Sequence, residues 1–89
     1  MKRFLIICGN HVETKYEFEE FVQNKEEYIT SVNYDELSVE LGNEKYIFTS
    51  LSNLKSFSKM KFDEYAIGKL LFRRHSLEEL EMLLDSWRR

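Results

Sequence analysis

The residues with the most chemical promise sit together near the start of the chain. Gly9, Asn10, Thr14 and Lys15 follow directly on the apolar run Phe4-Leu-Ile-Ile-Cys8. A strand that stops at a glycine and gives way to a helix start is a natural anion site, because the first helical N–H groups lack intrahelical partners and face outward along the positive end of the dipole. The chemistry expected here is the holding of a phosphate or carboxylate, with Lys15 as counter-charge. Cys8 and His11 in the same stretch have the spacing of half a zinc site, but His75, the other histidine, stands alone, so no metal set is expected. A single cysteine excludes an internal disulfide, and its place in an apolar run predicts a buried, inert thiol.

From Gly9 to Tyr16 the chain can be aligned with G-x-x-x-x-G-K-[ST], and it resembles the phosphate loop of the P-loop NTPases. Gly9 and Lys15 match; Thr14 stands where the second Gly would be, and Tyr16 where the Mg²⁺-binding hydroxyl would be. The segment Lys61-Phe-Asp-Glu-Tyr-Ala-Ile-Gly68 is similar to the approach to the second motif strand in helicase- and terminase-like proteins. Where that family carries a metal-binding Asp-Glu pair, this chain reads Gly68-Lys69. The resemblance implies a degenerate P-loop that holds an anion or nucleotide without turning it over, since the groups that place the metal are the ones missing. An ordinary strand-to-helix turn with a solvated Lys15 is the competing reading.

Charge is divided unevenly along the sequence. Net charge is −3, yet residues 1–44 carry four basic and ten acidic side chains, whereas residues 45–89 carry nine and six. Glu13, Glu17 and Glu20 belong to an acidic helix that could present carboxylates to a basic groove on a partner, or be simply a solvated face. Lys55, Lys59, Lys61, Lys69, Arg73 and Arg74 are interleaved with Phe57, Phe62, Tyr65 and Phe72. Cations beside ring faces suit single-stranded nucleic acid, although a sequence pI near 5.4 lacks the basic excess of an autonomous binder. The alternative is that the rings are core and the cations solvated.

These residues need a frame, and 89 residues supply one domain spanning 1–89. A hydrophobic content of 43% with 15% aromatics is enough for a packed core, and no apolar run reaches the roughly 20 residues that cross a bilayer. A cytoplasmic chain without membrane contact is expected. Phe4–Cys8 reads as a strand buried on both faces. Thr14 with Glu17 forms a capping box that would open a helix running to about Asn24 or Lys25, burying Phe18, Phe21 and Val22. Tyr28–Tyr34 alternates as a second strand, and the strand–helix–strand succession predicts a right-handed parallel unit.

Leu37–Leu41 and Lys45–Ser50 flank Gly42-Asn43 as a hairpin with a type II′ turn. Ser52 is placed to cap a short turn carrying Leu54 and Phe57. Glu64–Gly68 suggests a further strand, with Lys69–Phe72 fitting either strand or helix. Ser76 and Glu79 form another capping box, opening a helix with a Leu77, Leu80, Leu83, Leu84, Trp87 stripe and basic residues, Arg88 and Arg89, at its end. The fold class that follows is a small α/β domain: a mixed β-sheet, with a parallel β-α-β start and an antiparallel hairpin, and helices packed on it.

The small α/β frame, high Lys and Glu content, many Tyr and Phe, absence of Pro and incomplete loop motif together resemble small accessory proteins of bacteriophages and other mobile elements. That resemblance implies a non-enzymatic inhibitor or modulator acting through protein–protein contacts on a larger nucleic-acid-processing or defence protein. It brings no cofactor. Monomer and homodimer both stay open, since an exposed sheet edge can pair across an axis.

Overall fold

The computed structural model describes residues 1–57 and 59–88, with the side chains of 77, 83 and 86–88 outside the description. Strand β1 (Lys2–Cys8) leads into helix α1 (His11–Asn24) and a 3₁₀ turn at Glu26–Tyr28. Strands β2 (Ser31–Asn33), β3 (Ser38–Leu41) and β4 (Glu44–Ser50) follow, then a 3₁₀ segment at Leu51–Phe57. Strand β5 (Glu64–Ile67) and helices α2 (Lys69–Arg74) and α3 (Leu77–Arg88) complete the order. One mixed five-stranded sheet results, in the order β2-β3-β4-β1-β5.

The apolar run of β1 needs neighbours on both edges and cover on both faces, and it receives all four. It pairs in parallel with β4 from Lys2↔Glu44 to Cys8↔Ser50, and in parallel with β5 from Phe4↔Glu64 to Ile7↔Ile67. Alternation then divides its side chains: Leu5 and Ile7 join Ile47, Leu54, Leu71 and Leu80 on one face, while Cys8 joins Phe18, Val39 and Phe48 on the other. Helix α1 covers the second face through Phe18, Phe21 and Val22. The 3₁₀ segment, α2 and α3 supply the cover of the first through Leu54, Leu71, Leu80 and Leu84. The remaining members of the expected α3 stripe, Leu77, Leu83 and Trp87, and the terminal Arg88 and Arg89 fall outside the described side chains.

Strand β2 runs parallel to β1, as a β-α-β start requires, but the hairpin strands β3 and β4 lie between them. The expected strand Tyr28–Tyr34 shrinks to Ser31–Asn33. At its front the chain is still unwinding from α1 through the 3₁₀ turn; at its end Asn33 Oδ1 accepts the N–H groups of Asp35 and Glu36, both at 3.0 Å, and closes an Asx turn. Tyr28 and Tyr34 are consequently exposed. The hairpin turn forms as expected: Gly42 takes φ +60° while Asn43 stays in the ordinary negative range, which is the type II′ pattern.

Helix α1 starts four residues before the expected Thr14. Asn10-x-x-Glu13 and Thr14-x-x-Glu17 both satisfy the capping-box pattern, and the earlier one is used. Asn10 Oδ1 accepts the Glu13 N–H at 2.8 Å, and Glu13 Oε1 accepts the Asn10 N–H at 3.1 Å. Thr14 lies inside the helix, buried, donating its hydroxyl to the Asn10 carbonyl at 2.8 Å. Ser52, expected as a cap, sits within the 3₁₀ segment with its hydroxyl 3.0 Å from that of Ser50. Lys69–Phe72 resolves as helix, because Gly68 ends β5 and becomes the N-cap of α2.

Candidate functional site

The β1–α1 turn is only two residues long, Gly9 and Asn10, before helical geometry begins. Of its amides, that of Glu13 is engaged by the Asn10 side chain and that of Asn10 by the Glu13 carboxylate. Arg74 Nη2 pairs with Glu13 Oε1 there, so the positive charge that faces this turn comes from α2. Lys15 lies on the exposed outer surface of α1, and Thr14 contributes a buried hydroxyl. Cys8 is fully buried and His11 exposed, one inside the sheet and the other at the start of the helix.

The two groups of interaction candidates, the acidic residues of α1 and the basic residues of α2, meet each other. Glu17 Oε1 accepts the Lys69 backbone N–H at 2.6 Å, Glu20 Oε1 pairs with Lys69 Nζ at 3.1 Å, and Glu13 holds Arg74. Three carboxylates one turn apart on α1 therefore clamp the two ends of α2. All three are half-buried by this arrangement. Glu17 Oε2 is shut off from solvent without a conventional hydrogen-bond partner. Burial first, and then the Glu17 carboxylate, push the neighbouring Cys8 thiol far above its ordinary range and keep it protonated.

The rest of the basic segment points elsewhere. Lys55, Lys59, Lys61 and Arg73 are exposed and, among the described residues, make no ion pair. Of the interleaved rings, Phe57, Phe62 and Tyr65 pack on the core and on one another, at 6.2 Å and 5.9 Å between centroids, and Arg3 covers the Phe62 face at 5.4 Å. Phe72 alone of the four is classed as exposed. Ring faces committed to the core are not available for stacking against bases.

Two features of the surface carry no signal in the linear sequence. Along the α1–α2 seam, Tyr16, Leu70 and Arg73 border a notch of about 220 Å³ with Lys69, Glu17 and Glu20. At the carboxyl ends of β1 and β4 a second cleft, of about 380 Å³, brings together the start of α1, the loop at Asp35–Leu37 and the 3₁₀ segment. Each gathers residues that are 20 or more positions apart, so only the strand order could reveal them. Compared with protein-family models, with curated proteins and with solved structures, the chain gives no match.

Proposed function

We propose that this chain is a small non-enzymatic binding protein that acts by direct contact with a larger protein, using the outer surface of α1 and α2. The accessory role, inhibition or modulation of a nucleic-acid-processing or defence protein, is what the resemblance to mobile-element proteins implies. The observation that supports the contact reading is the placement of Tyr16. It is 59% exposed, follows the 76% exposed Val12 by one turn, and borders the notch shared with Leu70 and Arg73.

Tyrosine and arginine bordering a small recess are residue types that dominate binding energy when a partner covers them, because each combines a large contact area with a polar tip. The carboxylate clamp beneath them adds order. With Glu13, Glu17 and Glu20 fixing α2 against α1, less side-chain and helix freedom is lost on association. A standard interface takes roughly 800 Å² from each partner. The molecule exposes 6255 Å² in all, so one face is sufficient.

The test is quantitative capture from lysate with the intact chain, a Tyr16→Ala/Arg73→Glu double variant, and a Lys55→Glu control remote from the seam. Retention of one protein by the wild type and the control, with at least about tenfold loss in the double variant, supports the reading. Equal retention by all three assigns the contact to another surface.

A further inference from the structure

Strands β1 and β4 are adjacent and parallel, but the chain leaves their carboxyl ends in opposite directions. Helix α1 departs to one face of the sheet and the 3₁₀ segment Leu51–Phe57 to the other. That divergence is the switch point at which open α/β sheets form ligand crevices. Here it opens the cleft of about 380 Å³, within the size range of small-molecule and side-chain sites.

The polar lining of this cleft places the Thr14 and Thr49 hydroxyls and two carboxylates beside His11, Ser50, Asn53 and Ser56, which can donate as well as accept. Thr14 and Thr49, 1% and 4% exposed, both contribute to it. Each has spent its hydroxyl proton on a backbone carbonyl, Thr14 on Asn10 at 2.8 Å and Thr49 on Ser50 at 3.2 Å. What they have left to offer is lone pairs. Asp35 and Glu36 add carboxylates at the rim; Lys45 pairs with Glu36 at 3.4 Å, while Asp35 has no ion pair among the described residues. Among the described residues no lysine or arginine lines it, and Leu37 and Phe57 supply apolar walls.

We propose that this cleft receives a guanidinium group carried on an aliphatic stem. Five N–H donors and no acceptor match the Thr14, Thr49 and carboxylate acceptors, the positive charge matches Asp35, and the methylenes match Leu37 and Phe57. Phosphate, by contrast, would bring negative charge beside the Asp35 and Glu36 carboxylates. The guanidinium can come from an arginine of a partner chain or from a free arginine-like molecule. The cleft shares no residue with the notch on the α1–α2 seam, so this inference stands apart from the contact reading above.

The experiment is a ¹⁵N–¹H titration of the intact chain with N-acetylarginine amide, with a capped Gly-Gly-Arg-Gly-Gly peptide, and with the same peptide carrying citrulline. Saturable shifts at the amides of Asp35, Glu36 and Ser56, with a dissociation constant of about a millimolar or tighter, are expected for the arginine ligands. The citrulline peptide should bind at least about tenfold more weakly, since it lacks the charge. Asp35→Asn, on an exposed loop, should weaken the arginine ligands about fivefold or more. Ser56→Tyr, at an exposed position, should block them by filling the space. Tighter binding of the arginine peptide than of the amide identifies a partner chain as the source, and equal binding identifies a free small molecule. Absence of saturable shifts at these amides, equal binding of the citrulline peptide, or full affinity in a folded Asp35→Asn or Ser56→Tyr variant would each overturn the proposal.

Discussion

The Glu17 carboxylate accepts the backbone N–H of Lys69 at 2.6 Å across 52 positions of sequence. Helix α2 is six residues long and opens at Gly68, which has no side chain to cap it. The cap is supplied instead by α1. Because short helices are marginal without tertiary support, Glu17→Ala is expected to lower stability by about 1–2 kcal/mol, read as a lower urea midpoint with unchanged slope. Amide exchange should accelerate first at Lys69–Phe72.

A second consequence involves Gly68. Its backbone, φ −63° and ψ 150°, is open to any residue, so alanine meets no conformational penalty. Its space is the difficulty, since a methyl group there would land on the Glu17 carboxylate. Gly68→Ala is therefore expected to cost roughly 1 kcal/mol alone and to become neutral or mildly stabilising in a Glu17→Ala background. Denaturation of the four proteins in that cycle measures the coupling; additive costs would show that the two residues do not compete for space.

The competition between the two capping boxes gives a third. Asn10→Ala should destabilise by about 1 kcal/mol and speed amide exchange in the first turn of α1, because it removes the acceptor for the Glu13 N–H. Thr14→Ser keeps the hydroxyl bond to Asn10 and loses only a buried methyl, at a cost of about 1 kcal/mol with no selective fraying of that turn.

Cys8 yields a pH dependence. The thiol is held protonated by burial and by the Glu17 carboxylate, whereas in the unfolded chain it ionises in the ordinary range near about 8.5. Above that range the folded state binds more protons than the unfolded one, so this contribution to stability is complete below it and is lost as pH rises. The slope is about 1.4 kcal/mol per pH unit once the unfolded thiol has ionised. Stability of Cys8→Ala, compared with wild type between about pH 7 and pH 10, should lack that component of the decline. The native thiol should also resist alkylation near neutral pH until denaturant exposes it.

Much of the fold was legible because it rests on local patterns. The apolar run of β1, the Gly42-Asn43 turn and the Ser76 cap each specify their own conformation, and each appears where the sequence puts it, the Ser76 hydroxyl accepting the Glu79 N–H. What could not be read was choice among equivalents and pairing at a distance. Asn10 and Thr14 offer identical box patterns, and only the end of β1 at Cys8 decides between them. The order β2-β3-β4-β1-β5 follows from the need of β1 for two neighbours, which no window of sequence displays.

The same reason governs the candidate sites. Glu13 and Glu20 looked like free carboxylates, and Lys69 and Arg74 like free cations, because their partners lie 49 and 61 positions away. The crevice at Asp35 and Thr49 was invisible for want of the strand order. Tyr16 read as the residue replacing a metal-binding hydroxyl, and its exposure on α1 emerges only in three dimensions.

The most direct measurement of the contact reading is a hydrogen-exchange footprint of the chain in complex with its captured partner. Protection gained over residues 12–20 and 69–73, with the hairpin at 38–50 unchanged, is the predicted result. Protection confined to the hairpin or to residues 55–62, leaving Tyr16 and Arg73 as exchangeable as in the free protein, would contradict it.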